Sequence, residues 1–334
     1  MLFARWILIW VWCLACLRGA SGFPFIALIP LTGALVSFLA KDKLECLVRE
    51  CCSGAVWFNQ TGLNYSLTSQ LHGQHIVTER VFHHLTAHVL DQNPRKPLAL
   101  SFHGYTGVGK NFVSNLVAAN LFKLGSKSRF YHFYDATVHF AHRPKVDEYK
   151  EKLQRELRDA VAQCPFSMFV FDEMHIMPDG ILDVLAPLLE FRESVDGVDF
   201  RRSIFLFLSN AGGSVINRRL YDHLKSGKKR SDLQYADLNR LLTRSAFNDE
   251  GGFRSSYLIQ KHLITAMIPF LPLQIDHVRL CVRDAAEQRN VPFTEDLAQF
   301  VLDELEWGPE DTQLFSVSGC KRVYEKVAYY IQQL

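Results

Sequence analysis

A glycine-rich loop between two apolar segments limits the folds open to this chain more than any other feature. The loop reads Gly104-Tyr105-Thr106-Gly107-Val108-Gly109-Lys110-Asn111. It follows the apolar run Leu98–Phe102, and apolar residues at helical spacing continue over Asn111–Leu124. A strand, a glycine-rich loop and a helix in this order open a phosphate-binding α/β unit. The glycines let backbone N–H groups surround a phosphate, and the helix N-terminus adds partial positive charge.

The loop predicts a bound nucleoside triphosphate with Mg²⁺. Lys110 is placed to reach the β- and γ-phosphates of such a ligand. A serine or threonine that binds Mg²⁺ usually follows this lysine, and here Asn111 takes that place and offers its amide oxygen. A glycine-rich turn without a ligand is the alternative, but the strand before the loop and the helix after it favour the phosphate site.

Polar residues at the ends of two other apolar runs point to chemistry on that phosphate. Phe169–Phe171 is followed by Asp172-Glu173, and Ile204–Leu208 is followed by Ser209-Asn210. We predict that Asp172 holds Mg²⁺ through water and that Glu173 polarises the water that attacks the γ-phosphate. Asn210 is predicted to lie beside Asp172 and to orient this water. Ordinary polar strand ends at the surface are the alternative.

Segments with strand and helix patterns alternate between residues 97 and 270. Solid apolar runs are typical of strands that are covered on both faces of a parallel sheet. The further predicted strands are Phe130–Phe133, Phe166–Phe171 and Ile204–Leu208, and the helices between them include Val146–Ala162 and Gly180–Phe191. We therefore predict a three-layer α/β domain with a parallel sheet.

The regions on both sides of this α/β segment have helical patterns. Residues 44 to 96 look helical, and beyond Pro269–Leu273 the patterns are helices only, at His277–Gln288, Glu295–Leu305 and Lys321–Ile331. We expect a nucleotide-binding α/β domain over 44–273 and a small helical lid domain over 274–334. The one basic run, Lys228–Arg230, is interpreted as a solvated turn. The net charge of +2 gives no indication of a nucleic-acid partner.

The first forty residues predict entry into the secretory pathway. Arg5 precedes the apolar run Trp6–Leu17 and small residues follow, which is typical of a cleaved signal peptide over 1–22. A membrane anchor that stays attached is the alternative. The next segment, 23–40, carries no charge, but Pro30 interrupts it. A straight helix of that length reaches about 27 Å against a hydrocarbon core of about 30 Å, so we expect association with a membrane surface without a definite span.

In a secretory lumen, two sequons can be glycosylated and the cysteines can form disulfides. Asn59 and Asn64 begin Asn-x-Ser/Thr triplets and are predicted glycosylation sites. Removal of the signal peptide leaves six of the eight cysteines, and six cysteines allow fifteen pairings among which sequence alone does not choose. Buried core thiols are the alternative to disulfides.

Taken together, these motifs resemble those of the torsin family. The resemblance covers residues 44–334 and is carried by Lys110-Asn111, Phe171–Met174, Leu208–Gly212, Pro269–Leu273 and Gly319-Cys320-Lys321. Torsins are AAA+ ATPases of the endoplasmic reticulum lumen and nuclear envelope, so the resemblance implies that fold, that location and the ligands ATP and Mg²⁺. It also implies residue roles: Walker A for Lys110 and Asn111, Walker B for Asp172 and Glu173, sensor 1 for Asn210, sensor 2 for Lys321, and adenine packing near Gln70–His75.

The resemblance implies partners and a redox role as well. Torsins are weak ATPases alone because they lack a usable arginine finger, and membrane-anchored activators of the lamina-associated polypeptide type supply an arginine from their luminal domains. In this chain Arg240, Arg244 and Arg254 lie where a finger could occur. Protein clients and a homo- or hetero-oligomer are expected too. The family pair equivalent to Cys281 and Cys320 forms a disulfide that holds the sensor lysine, so we expect reduction of this bond to shift Lys321 and to change nucleotide affinity and partner binding.

Two functions follow from these patterns. The first is a luminal AAA+ ATPase that remodels proteins or membrane-protein complexes, with Glu173, Asn210 and Lys321 as catalytic residues. The second is an ATP-dependent scaffold with negligible hydrolysis. The presence of Glu173 favours the ATPase, because a protein that only binds ATP needs no group to activate water. A small-molecule kinase is disfavoured by the signal peptide and the helical C-terminal region.

Overall fold

The computed structural model describes residues 50–52, 55–248, 258 and 261–333 of the chain. The predicted signal peptide, 1–22, and the apolar segment, 23–40, lie outside these residues. Within the described part of the chain, no helix is both long and apolar enough to cross a membrane.

The strands form one large sheet and two small hairpins. They are β1 (Cys51–Cys52), β2 (Ala55–Val56), β3 (Leu98–His103), β4 (Tyr131–Asp135), β5 (Met168–Asp172), β6 (Ile204–Ser209), β7 (Ala266–Pro269), β8 (Trp307–Gly308) and β9 (Phe315–Ser316). The large sheet has the order β4-β5-β6-β3-β7, and all its neighbouring strands run parallel. Its carboxyl edge therefore brings the residues that follow β3, β5 and β6 side by side.

Helices cover both faces of this sheet and make up most of the C-terminal region. They are α1 (Gln60–Ser69), α2 (His75–Leu90), α3 (Lys110–Leu121), α4 (Ala136–His139), α5 (Val146–Gln163), α6 (Ala186–Leu189), α7 (Gly213–Lys225), α8 (Tyr235–Asn248), α9 (Ile275–Gln288), α10 (Glu295–Asp303) and α11 (Val323–Ile331). The predicted three-layer α/β architecture is confirmed.

The strands are apolar on both faces because each face supports a separate hydrophobic core. In β5, Phe169 and Phe171 belong to one core, whereas Met168 and Val170 belong to the other. Aromatic rings of neighbouring strands also stack across the sheet, with 5.5 Å between the ring centres of Phe171 and Phe207. Burial on both faces explains why these strands show no alternation of polar and apolar residues.

The predicted helix over Gly180–Phe191 is wrong. Residues Ile181–Leu185 form a 3₁₀ turn, and a short helix, α6, then begins at Ala186. The reason is Pro187, which lacks an N–H and clashes with the preceding turn in a helix interior but is well accommodated in the first turn of a new helix.

The prediction that residues 44–96 are helical fails at one place. The hairpin of β1 and β2 precedes α1, and Cys51 at its start forms a disulfide with Cys164, at the C-terminal end of α5. Both cysteines are buried. A bond to a residue 113 positions away holds the hairpin on the body of the molecule, which is a tertiary constraint that no local pattern reveals.

The C-terminal region is not built of helices only. Helices α9, α10 and α11 share one hydrophobic core, but β8 and β9 pair as a hairpin between α10 and α11. Helix α10 ends at Asp303, and Gly308 and Pro309, which interrupt helical periodicity, lie at the end of β8 and directly after it. Helix α11 begins at Val323, so Lys321 lies in the turn before the helix and not in it.

Arg230 is not part of a solvated turn, although Lys228 and Lys229 are exposed. Its guanidinium donates hydrogen bonds to the carbonyl oxygens of Gly73 (2.6 Å) and Pro272 (2.8 Å). Burial lowers the pKa of Arg230 to about 9. The side chain thus joins the segment before α2 to the segment that leads into α9.

Candidate nucleotide site

A cavity of about 490 Å³ lies between the carboxyl edge of the sheet and the C-terminal helices. Its walls come from the glycine-rich loop, from the ends of β5 and β6, and from α9 and the turn before α11. The predicted site residues on its surface are Thr106, Gly107, Val108, Gly109, Lys110, Asn111, Asp172, Glu173, Asn210, Lys321, Cys281 and Cys320. Predicted residues from five separate stretches of sequence therefore converge on one cavity.

The glycine-rich loop leads directly into α3. Gly109 caps this helix with φ of 106°, a left-handed conformation that glycine adopts without strain. Gly104 and Tyr105 do not line the cavity, but their carbonyl oxygens accept hydrogen bonds from Lys110 Nζ at 2.5 and 2.9 Å. Burial lowers the pKa of Lys110 to about 8, while the Asp172 and Glu173 carboxylates act in the opposite direction.

Asp172 and Asn111 are in direct contact. The amide nitrogen of Asn111 donates to Asp172 Oδ2 at 2.7 Å, and the backbone N–H of Glu173 donates to Asp172 Oδ1 at 2.9 Å. Only 8% of Asp172 is exposed. A carboxylate and an amide oxygen are hard donors of the kind that Mg²⁺ prefers, so this donor pair fits the predicted ion.

Glu173 and Asn210 meet at the ends of β5 and β6. Asn210 Nδ2 donates to Glu173 Oε2 at 3.4 Å, and Asn210 Oδ1 accepts from Lys110 Nζ at 2.8 Å. Glu173 has φ of 55°, which is uncommon for a residue other than glycine and turns the chain sharply at the strand end. Asp172 and Asn210 thus lie at neighbouring strand ends, as predicted. Both belong to one hydrogen-bonded group with Glu173 and Lys110.

The C-terminal lobe touches the glycine-rich loop through two backbones. The Cys320 N–H donates to Gly107 O at 3.0 Å. A Cβ atom on Gly319 would come 2.5 Å from the carbonyl carbon of Gly107, and one on Gly107 would come 2.6 Å from that of Ser318. Glycine is thus required on both sides of this contact. This backbone contact places Lys321, two residues after Gly319, at the cavity.

A disulfide joins Cys281 in α9 to Cys320, with 6.2 Å between the Cα atoms. Both residues line the cavity. The bridge fixes the turn that carries Lys321 relative to α9, which is the arrangement that the family resemblance implies. Whether it responds to redox conditions stays a prediction.

The other end of the cavity is formed by Gln70, Leu71 and His72 from one side and by α9 from the other. His72 Nε2 lies 2.5 Å from Asp284 Oδ2. The predicted adenine-packing segment 70–75 does therefore contribute to the cavity wall. Gln74 is buried behind this wall, where its amide donates to Val108 O at 3.1 Å and to Leu271 O at 2.8 Å.

Several predicted residues lie away from the cavity. Asn59 caps α1, where its side chain accepts from the Gly62 N–H at 2.9 Å, and Asn64 is exposed on the same helix. Arg240 and Arg244 are exposed on α8, and Arg254 lies outside the described residues. Among the described residues that line the cavity, none is an arginine.

Sequence reasoning missed the residues that support the site from behind. The sequence predicts Gln74 only as part of the segment 70–75, and the pairing of His72 with Asp284 joins residues 212 positions apart. His175, two residues after Glu173, is not among the predicted site residues. Its position next to a predicted catalytic acid was a signal that could have found it.

Comparisons with known proteins identify the family of the chain. The model of the Torsin family matches residues 46–171, and that of the Torsin-1A C-terminal domain matches residues 273–330. The chain is 41% identical to a torsin-like protein of Caenorhabditis elegans, over 86% of this chain and 82% of that protein. It is 39% identical to Torsin-3A of Mus musculus, over 86% of this chain and 76% of that protein.

Solved structures of Hsp104 show the same fold. One is a closed state with ATPγS and FITC casein (TM-score 0.54, 16% identity), and another is the Saccharomyces cerevisiae complex with ADP (TM-score 0.54, 17% identity). Each match covers 82% of this chain but only 46% of the Hsp104 chain. The likeness extends to the fold alone, whereas the family matches and the relatives at about 40% identity show that the chain belongs to the torsin family of AAA+ ATPases.

Proposed function

We propose that this protein is a luminal torsin-type ATPase that hydrolyses ATP to remodel proteins or membrane-protein complexes. The observation that carries the proposal is the convergence of Lys110, Asp172, Glu173, Asn210 and Lys321 on one cavity. These residues supply the charges and the polar groups that phosphoryl transfer to water requires.

Each of these side chains has a distinct task in the proposed reaction. The loop N–H groups and Lys110 bind the phosphates, and Lys321 adds a second positive charge from the C-terminal lobe. Asp172 and Asn111 would hold Mg²⁺, which neutralises the charge that develops on the phosphates. Glu173 accepts the proton of the attacking water, and Asn210, in contact with Glu173, orients that water.

Two variants separate binding from turnover. Lys110→Ala removes the buried positive charge at the phosphates and should abolish ATP binding, whereas Glu173→Gln should retain binding and lose turnover. Lys127→Ala and Glu310→Gln change exposed residues outside the cavity and serve as controls of matched charge. The measurements are titration with a fluorescent ATP analogue and release of phosphate. Equal ATP affinity in the Lys110 and Glu173 variants would show that the cavity is not the nucleotide site.

An activating partner is part of the proposal. None of the described residues that line the cavity is an arginine, and we infer that a partner supplies the arginine at the γ-phosphate. A membrane-anchored activator of the lamina-associated polypeptide type fits this need. Glu173→Gln in the presence of ATP should trap the activator in a pulldown, and the same pulldown with Lys110→Ala should not recover it.

The endoplasmic reticulum lumen and nuclear envelope are the proposed location. Two disulfides, Cys51–Cys164 and Cys281–Cys320, support an oxidising compartment. We further propose that Asn59 and Asn64 carry glycans and that residues 23–40 hold the protein at the membrane. Glycosidase treatment of the wild type and of each Asn→Gln variant tests the glycans. Carbonate extraction of a variant that lacks 23–40 tests the membrane contact, because this variant should leave the pellet.

A scaffold that binds ATP with negligible hydrolysis is the second candidate. The contact between Glu173 and Asn210 speaks against it, since binding alone requires neither group. Phosphate release that stays at background with every activator, while ATP still drives assembly, would favour the scaffold.

A further inference from the structure

His175 lies directly behind the predicted catalytic acid. Its Nδ1 atom is 3.3 Å from Glu173 Oε2, and its Nε2 atom is 3.4 Å from Asn210 Nδ2. The residue is not part of the cavity wall. It therefore touches the two groups that handle the attacking water in the proposed reaction, but it does not touch the nucleotide space itself.

The contact with Asn210 defines the chemical state of the imidazole. Asn210 Oδ1 accepts from Lys110 Nζ, so its amide nitrogen is the group that faces His175. An amide nitrogen only donates, and Nε2 must therefore accept. In the neutral imidazole the proton then lies on Nδ1, the atom that faces the Glu173 carboxylate. Both contacts are satisfied by the same tautomer.

The Nδ1 atom is buried and has no hydrogen bond of good geometry, although the Glu173 oxygen is within 3.3 Å. A buried N–H that is left without a partner costs free energy, which favours any change that brings an acceptor to it. The Glu173 side chain is 38% exposed and its Oε2 atom lies 3.3 Å away, so this carboxylate is the acceptor within reach of the Nδ1–H. The imidazole thus provides a fixed donor toward which the carboxylate is drawn.

We propose that His175 is a positioning residue for ATP hydrolysis, an inference that rests on the function proposed above. Its Nδ1–H holds the Glu173 carboxylate, and its Nε2 holds the Asn210 amide, so that base and water-orienting group keep a fixed relative position. Because the lysine, the amide, the carboxylate and the imidazole form one chain of contacts, a change at the phosphates reaches Glu173 through Asn210. His175 affects the rate of the reaction and leaves nucleotide affinity unchanged.

Three substitutions test this role. His175→Phe keeps a ring of similar shape and removes both nitrogens, His175→Asn restores a donor near the position of Nδ1, and His175→Ala removes the ring as well. General acid–base catalysis contributes on the order of a hundredfold or more, so misplacing the base should lower kcat about tenfold. We expect this loss for the Phe and Ala variants, recovery of most of it in the Asn variant, and an ATP affinity within about twofold of the wild type throughout.

The assays are steady-state phosphate release at saturating ATP, titration with a fluorescent ATP analogue, and NMR of ¹⁵N-labelled histidine. The Phe variant identifies the His175 signals, which should show the proton on Nδ1. Wild-type kcat in His175→Phe, an equal loss of kcat in His175→Asn and His175→Phe, or a proton on Nε2 would each overturn the proposal. A fall in ATP affinity as large as the fall in kcat would also overturn it, because it would indicate a structural role.

Glu173→Gln, measured in parallel, separates this inference from the function on which it rests. If that variant releases phosphate as fast as the wild type, the proposed ATPase mechanism is wrong. If Glu173→Gln is inactive while His175→Phe is fully active, the mechanism stands and only the role of His175 fails.

Discussion

Replacing Gly319 by alanine tests whether the contact between the glycine-rich loop and the C-terminal lobe determines nucleotide affinity. Gly319 has φ of 54°, and an added Cβ would meet the Gly107 carbonyl group, 2.5 Å from its carbon atom. Real Cβ atoms essentially never come within 3.0 Å of another heavy atom in this way, so the two backbones must separate. Their separation should lengthen the hydrogen bond from Cys320 N–H to Gly107 O, now 3.0 Å, and move Lys321 away from the place proposed for the phosphates.

Gly319→Ala should have two effects, one on the free energy of unfolding and one on ATP affinity. An alanine in the left-handed region costs about 1–2 kcal/mol, and this cost lowers the free energy of unfolding wherever such a glycine is replaced. The second effect is specific to the site. A hydrogen bond between a charged group and its partner contributes about 1.5–3 kcal/mol, so loss of the Lys321 contact should weaken ATP binding roughly tenfold to a hundredfold.

Gly227→Ala is the matched control. Gly227 has φ of 80° and nothing within 4 Å of an added Cβ, so the substitution brings the backbone strain without the clash. Both variants should lose stability in chemical denaturation, Gly319→Ala at least as much as Gly227→Ala because it adds the clash, but only Gly319→Ala should lose affinity for a fluorescent ATP analogue. Equal ATP affinity in the two variants would refute the argument that the backbone contact positions Lys321.

Three further predictions follow from other contacts. Replacing Cys51 and Cys164 together by alanine opens a loop of 113 residues and should lower the free energy of unfolding by about 5 kcal/mol in urea denaturation, whereas a loss below about 1 kcal/mol would contradict the constraint. Desolvation lowers the pKa of His277 from 6.5 to about 4. The contribution of His277 to the free energy of unfolding is therefore complete above pH 6.5 and is lost as the pH falls toward 4. His277→Gln should flatten the pH dependence of this free energy, measured by denaturation, between these pH values. His72→Phe removes the partner of Asp284, which is 34% exposed, and should weaken ATP binding by about fivefold in an equilibrium titration, with unchanged affinity counting against a role of this pair.

The fold could be predicted from local patterns because those patterns are strong where the chain is buried. Five-residue runs such as Met168–Asp172 have no polar residue before the strand end, and only a sheet covered on both faces accommodates them. The cavity residues could be predicted for a related reason: parallel strands place all their carboxyl ends at one edge, so Lys110, Asp172 and Asn210 had to come together.

The supporting residues could not be predicted, because their roles depend on contacts between distant segments. Nothing in the sequence around Arg230 shows that its guanidinium meets the carbonyl oxygens of Gly73 and Pro272. The partner of Cys51 could not be predicted either, because nothing in the sequence distinguishes Cys164 from the other cysteines. His175 differs, because its distance from Glu173 along the chain is short, but the tautomer that makes it useful depends on Asn210 from the next strand.

The disulfide between Cys51 and Cys164 also decides how the molecule responds to mechanical load. A pull on the chain ahead of Cys51 passes through the covalent bridge to Cys164 and leaves residues 52–163, including α1, α2 and the glycine-rich loop, outside the line of tension. The tension enters the sheet at the start of β5, which is hydrogen-bonded on both sides, to β4 and β6. At the other end of that strand lie Asp172 and Glu173. When the bridge is reduced, the same pull passes through residues 52–163 and acts on the hairpin of β1 and β2 before it reaches β5.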